Sequence, residues 1–355
     1  MKELTIGHLK CSLPIIQGGM GVGISLSGLA SSVANEGGVG VISCAGLGML
    51  YKNGHDYLQN CIYGLKEEIA KARKLSKGVI GVNIMVALSN FADMVRTALE
   101  NEIDIIFSGA GLPLDLPSYL KPGHKTLLVP IVSSARAAEL ICNKWINTYG
   151  YIPAAIVVEG PEAGGHLGFT AEQITNRSFS LEEIIPQVLK VVSKFEALHN
   201  CHIPVIAGGG IYSGEDIHKF IEMGAAGVQM GTRFVATEEC DATDAFKQAY
   251  VAAGKDDIRI IKSPVGMPGR AINSLFLNAV DAGEKKPKAC PVKCIKTCDI
   301  DKVPYCIIAS LTSALKGNFA KGYAFAGSNV WKVKSIVPVK ALVKELKEEY
   351  TRFSS

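Results

Sequence analysis

The chain has 355 residues, of which 48% are hydrophobic, 20% charged and 7% aromatic, and this apolar content excludes a disordered chain. Its 37 Lys and Arg against 33 Asp and Glu leave a net charge of +4, too small a surplus to argue for nucleic acid. No apolar run approaches the roughly 18 residues that span a bilayer, and Met1–Leu13 carries no continuous apolar stretch of the signal-peptide kind, so a soluble cytoplasmic protein with no membrane partner is expected.

Short β-branched runs alternate with helix-like segments along the chain. Eight runs stand out: Ile15–Gln17, Val39–Ser43, Val79–Ile84, Ile103–Phe107, Leu127–Ile131, Ala155–Glu159, Ile203–Ala207 and Ala226–Met230. Each is near-continuously apolar, as parallel strands buried on both faces are. Between them, Leu65, Ile69 and Ala72 share one helical face, as do Phe91, Met94, Val95 and Ala98, and Ser213 before Glu215 and Asp216 reads as a helix N-cap. Eight strands in βα repeats predict an α/β fold, a (β/α)8 TIM barrel, with an open doubly wound sheet as the competitor. The division expected is a barrel over 1–280, a Cys-containing insertion over 281–305, and helices over 306–355 that pack on the barrel. The connections Cys44–Gly78 and Gly160–His202 are long, and loops after strand C-terminal ends are where barrels build active sites.

The seventh and eighth runs both end in glycine: Gly208-Gly-Gly210 after one, Gly231-Thr232 after the other. Barrels commonly bind phosphate between these two loops through backbone N–H groups, although glycines also simply close tight turns. No Gly-x-x-x-x-Gly-Lys-Ser/Thr pattern supports a nucleoside triphosphatase. The sixth run leads into Glu159-Gly-Pro-Glu-Ala-Gly-Gly-His166. A histidine there reaches a ligand over the barrel mouth, and an ordinary imidazole pKa near 6.5 suits a general base. A solvent-exposed loop histidine is the alternative. The other six (His8, His55, His124, His199, His202 and His218) fall at strand starts, in helices or in linkers. Gln17 and Asn83, in apolar surroundings near strand ends, are candidates to hydrogen-bond the edge of a flat heterocycle.

Gln17-Gly-Gly-Met20, Gly81-Val-Asn83, Glu159–His166, Ile206–Ile211 and Gln229-Met-Gly-Thr-Arg-Phe234 together resemble the FMN-dependent nitronate monooxygenases, formerly called 2-nitropropane dioxygenases, and the related FMN enoyl-acyl-carrier-protein reductases. The resemblance covers about residues 10–280 and resumes at Gly322–Ser328. It implies a barrel holding one FMN, with cofactor contacts at Gly19, Met20, Asn83, Glu159, Gly164, Gly210, Gln229, Met230, Gly231 and Thr232. It implies His166 as the catalytic residue, taking the α-proton of a neutral nitroalkane. The implied reaction oxidises a nitronate with O2 to a carbonyl compound and nitrite. Gly18-Gly19 and Glu159 stand where many monooxygenases have Ala-Pro and Gln, which resembles the reductase branch. Val129–Ser133 lacks the lysine the family carries near that strand end.

Four of the ten cysteines, Cys290, Cys294, Cys298 and Cys306, fall in one stretch. Spacing by four places the first three thiols on one face if the stretch is helical. Four thiolates could bind zinc or an iron–sulfur cluster, but the pattern is not a standard motif for either and no metal is assigned; the alternative is a capping insertion with reduced or partly paired thiols, the default without a secretory signal.

Overall fold

The computed structural model describes residues 1–54 and 56–354; His55 and Ser355 lie outside them. An antiparallel hairpin of β1 (Leu4–Ile6) and β2 (Leu9–Cys11) leads into β3 (Ile15–Gln17), α1 (Ser27–Asn35) and β4 (Gly40–Ser43). The chain continues through α2 (Leu47–Leu50), α3 (Tyr57–Leu75), β5 (Ile80–Met85), α4 (Phe91–Glu100) and β6 (Ile105–Gly109). A single 3-10 turn (Leu116–Tyr119) separates β6 from β7 (Leu127–Val132), which is followed by α5 (Ala135–Tyr149) and β8 (Ile156–Glu159). After β9 (Gly165–His166), α6 (Ala171–Thr175) and α7 (Leu181–His199) come β10 (Val205–Gly208), α8 (Gly214–Glu222), β11 (Gly227–Met230), α9 (Thr232–Val235) and α10 (Asp244–Ala252). The remainder is a hairpin of β12 (Ile258–Lys262) and β13 (Pro268–Ile272), then α11 (Leu275–Asp281), α12 (Ile307–Leu315) and α13 (Val339–Phe353).

Eight parallel strands run in the order β3-β11-β10-β8-β7-β6-β5-β4. The ends meet through a parallel bridge between Ile16 and Val39, so the sheet is a barrel and not the open doubly wound alternative. All eight strands expected from the sequence are present. Alternation along each strand divides the core in two. Ile16, Val41, Ile105, Phe107, Val129, Val157 and Ile206 fill the barrel interior together with Leu4, Ile6 and Cys11 of the N-terminal hairpin. Their neighbours Ile15, Ile42, Ile106, Leu128, Ile156, Val158, Val205 and Ala207 point outward into the layer shared with the helices. Gly81 has no room for a side chain because a Cβ there would stand 2.7 Å from the Phe107 ring.

The helix faces follow their apolar spacing. Leu65, Ile69 and Ala72 of α3 are buried, as are Phe91, Met94, Val95 and Ala98 of α4. Ser213 caps α8, its Oγ accepting from Asp216 N–H while the Asp216 carboxylate accepts from Ser213 N–H. Val339, Leu342, Val343 and Leu346 of α13 pack against α8 and α1. The helical reading of the cysteine stretch fails. Residues 290–298 are irregular, because Pro291 offers no N–H and Lys293 adopts a left-handed φ of 42°. Instead, Ser89 N–H donates to Cys294 O (3.1 Å) and Lys296 N–H to Ala87 O (2.9 Å), which lays the strip along the loop after β5. Cys294 is buried and Cys290 exposed, and among the described residues no group of three or more potential ligands is placed to hold a metal.

Gln17 has a different part from the one its sequence setting suggests. Its amide is fully buried: Oε1 accepts from Val41 N–H at 3.1 Å and Nε2 donates to Val41 O at 3.2 Å, closing the seam between β3 and β4. No group is left over for a ligand edge. Gln17→Leu strands both backbone groups of Val41, so we expect a loss of about 2–4 kcal/mol in urea unfolding.

Candidate active site

The in–out alternation that fills the barrel also sets its mouth. One step above the apolar interior layer, the inward positions are Ser43, Asn83, Gly109, Ile131, Glu159 and Gln229, and all of them line one cavity. The cavity encloses about 1330 Å³ of open space, its solvent-facing mouth included. All eleven residues that the family resemblance implies line it: Gly19, Met20, Asn83, Glu159, Gly164, His166, Gly210, Gln229, Met230, Gly231 and Thr232. Gly19 lies so close to Asn83 that a Cβ would come within 2.3 Å of the Asn83 Cβ. The side chains of Asn83, Glu159 and Gln229 make no hydrogen bond among the described residues, so three polar groups project from apolar strands into the open space.

One wall is a cradle of backbone donors. Gly209 and Gly210 take left-handed φ values of 100° and 79°, which only glycine adopts cheaply. The N–H groups of Gly209, Gly210 and Gly231 donate to nothing among the described residues. The C-terminal segment completes this wall: Gly327 N–H donates to Thr232 Oγ1 (2.9 Å) and Asn329 Nδ2 to Gly210 O (2.6 Å). The Glu162 carboxylate sits beside Gly210, held by Ser328 Oγ at 3.1 Å.

The loop after β8 is fixed from two sides. Its β9 segment pairs antiparallel with β13, with His166 opposite Gly269. Buried Arg270 donates to the carbonyls of Pro161 and of Ala163, the latter at 2.8 Å, so a cation with no carboxylate at ion-pair distance among the described residues holds the loop by its peptide dipoles. On the other side a Cβ at Gly164 would come within 2.5 Å of the Ala326 backbone. His166 Nε2 is 2.7 Å from Ser263 Oγ, and its ring meets Phe325 edge-on at 4.9 Å. Arg270, Ser263 and Phe325 were not visible as site residues, because each lies about a hundred or more positions from the loop it supports; only the glycine-rich Gly322–Ser328 hinted at the last.

Among the described residues no lysine or arginine lines the cavity. Desolvation therefore pushes the titratable groups of the lining toward their neutral forms: the His166 pKa falls to about 4, the Glu159 pKa rises to about 7, and the Tyr250 hydroxyl is pushed up as well. This corrects the ordinary value near 6.5 expected for His166. The imidazole is neutral throughout the physiological range.

The shifts of His166 and Glu159 have opposite consequences for stability. For His166 the folded pKa lies below the unfolded one, so stability falls as pH drops from about 6.5 through 4. For Glu159 the folded pKa lies above the unfolded one, so stability falls as pH rises from about 4.5 through 7. Glu159→Gln removes the second effect. We expect the variant, free of ligand, to be about 1–3 kcal/mol more stable than the parent at pH 8 and indistinguishable from it near pH 4, as measured by denaturant unfolding.

The chain matches the nitronate monooxygenase family over residues 2–349. It is 27% identical to a probable nitronate monooxygenase of Staphylococcus aureus, over 78% of this chain and 79% of that protein. It is 28% identical to the (3aS,4S,5R,7aS)-5-hydroxy-7a-methyl-1-oxo-octahydro-1H-indene-4-carboxyl-CoA dehydrogenase of Rhodococcus jostii over 76% of this chain, which spans 65% of that protein's length. In fold it is similar to FabK from Thermotoga maritima, with a TM-score of 0.73 and 24% identity over 97% of this chain and 94% of that one. An anion cradle of unpaired N–H groups beside three unpartnered polar side chains fits a flavin mononucleotide. The chain belongs to the nitronate monooxygenase family.

Proposed function

We propose that the protein is a nitronate monooxygenase, oxidising alkyl nitronates with O2 to carbonyl compounds and nitrite. The observation that carries this reading is the pair His166–Ser263, set in the wall of the same cavity as the N–H cradle. Gly210, Gly231 and Thr232 would hold the FMN phosphate. Gly19, Met20, Asn83, Glu159, Gly164, Gln229 and Met230 would enclose the rest of the cofactor. When bound, FMN supplies the electron acceptor for the substrate.

The protein's own part is to orient the substrate and handle one proton. With Nε2–H donated to Ser263 Oγ, Nδ1 keeps a lone pair and has no partner among the described residues. That atom takes the α-proton of a neutral nitroalkane. A base with a pKa of about 4 does so against an unfavourable proton-transfer equilibrium. A preformed nitronate has already lost the proton, so this site favours nitronates over neutral nitroalkanes.

A second reading is an NAD(P)H-dependent enoyl-acyl-carrier-protein reductase. Glu159 favours it, as does the likeness to a protein named as a carboxyl-CoA dehydrogenase. Anaerobic mixing of the yellow protein separates the two. Bleaching by a nitronate and not by NADH or NADPH supports the first, and bleaching by NAD(P)H with none by nitronates overturns it.

His166→Ala should slow turnover of neutral nitroalkanes by roughly 10²–10⁴-fold and that of nitronates much less, with FMN content retained. In the parent, kcat/KM for a neutral nitroalkane should fall as pH drops through about 4, where Nδ1 becomes protonated, and not near 6.5. Equal losses on both substrate forms would remove the base assignment.

A further inference from the structure

We infer that a second cleft, behind the phosphate cradle, binds the phosphate of a nucleotide. This cleft encloses about 590 Å³ of open space, its mouth included, is lined by Tyr212, Arg233, Lys332, Lys334 and Glu345, among others, and shares no lining residue with the large cavity. The two are nonetheless neighbours along three chain segments. Ile211 lines one and Tyr212 the other; Thr232 lines one and Arg233 the other; Gly327 lines the first and Lys332 the second.

The charges favour an anion. Arg233 lies 4.4 Å from the centre of the Tyr212 ring and is paired with Glu345 at 2.9 Å. Lys332 lies 5.6 Å from the same ring, and Lys334 donates to Trp331 O at 2.9 Å. Neither lysine has a carboxylate within ion-pair distance among the described residues. Three cations against one carboxylate leave the lining with a surplus of two positive charges. The contrast with the cofactor cavity is what gives the cleft meaning: of the two linings, this one alone offers a dianion lysine and arginine partners.

Aromatic surface adjoins the charge. Trp331 is partly exposed, with Lys332 at 5.6 Å and Lys255 at 5.8 Å from its ring centre. A flat, electron-rich ring between ammonium groups, next to a phosphate-sized basic cleft, matches a nucleotide better than inorganic phosphate. The shared chemistry is an adenosine diphosphate bearing an additional ribose phosphate, found in both coenzyme A and NADPH. The inference rests on the flavin oxidoreductase assignment and goes beyond nitronate oxidation, which consumes no nucleotide.

Calorimetric titration of the FMN-loaded protein tests it, with coenzyme A, dephospho-coenzyme A, NADPH, NADH and inorganic phosphate as separate probes. The expected result is that coenzyme A or NADPH binds at least 10-fold more tightly than its counterpart lacking the ribose phosphate. That preference should disappear in a Lys332→Ala, Lys334→Ala double variant and weaken as salt rises. Whichever probe shows the preference identifies the source of the phosphate. FMN content and the response to nitronate should be the same in parent and double variant, which keeps this test separate from the nitronate reading. No preference for the extra phosphate, an unchanged preference in the double variant, or binding of inorganic phosphate as tight as that of either nucleotide overturns the proposal.

Discussion

The barrel depends on a seam closed partly by a side chain. β3 is three residues long, and a single bridge pair, Ile16 with Val39, joins it to β4. The next rung would need Gln17 C=O and Gly19 N–H against Val41, and neither bonds to it, while Gly18 N–H continues the pairing with β11 by donating to Met230 O at 2.9 Å. The Gln17 carboxamide takes the empty place, accepting from Val41 N–H and donating to Val41 O as a peptide group would. This frees Gly18, Gly19 and Met20 to bend over the mouth, where Gly19 packs on Asn83 at a distance no side chain permits. Closure and cavity thus come from the same few residues. A barrel sealed there by backbone alone would carry its ladder up through the space that the cavity occupies.

Much of this was legible in the sequence, for a definite reason. Parallel strands covered on both faces read as apolar runs, and Val39–Ser43, Leu127–Ile131 and the other six each overlap a barrel strand, several starting one or two residues early. Glycine at strand ends and a histidine in a glycine-rich loop marked the mouth, because close backbone approach leaves a compositional trace. Residues acting at a distance left none. Ser263 meets His166 across 97 positions, and Arg270 reaches Pro161 and Ala163 across more than a hundred. Gln17 misled because a buried amide pairing with its neighbour strand has the same sequence setting as one facing a ligand. The cysteine strip misled because spacing by four signals a helix only where the backbone allows one, and Pro291 and Lys293 do not.

The electrostatics of the mouth follow from what is missing. With no lysine or arginine in the lining, a charged His166 or Glu159 would lose hydration and gain no counter-charge, so each titrates toward neutrality. Buried Arg270 is the nearest exception, and it faces carbonyl oxygens behind the loop instead of the cavity. What remains to receive negative charge is a set of fixed N–H dipoles at Gly209, Gly210 and Gly231. Such dipoles need no reorganisation when charge arrives.

An uncharged chemical cavity beside a basic cleft divides the work between two kinds of interaction. Lysine and arginine side chains attract anions over a distance on the order of a Debye length, the lysine ammonium on a flexible stem that holds them in shifting geometry. Backbone N–H groups act only at contact, yet glycine loops pinned between two barrel strands and the 327–329 segment fix them firmly. Long-range attraction placed inside the cavity would also charge His166, for a carboxylate, or suppress protonation of Glu159, for a lysine. Keeping the cations further along each segment, at Arg233 one residue beyond Thr232 and at Lys332 five beyond Gly327, leaves the neutral forms of both groups intact. The neutrality of the mouth is therefore maintained by where the charges stop along the chain.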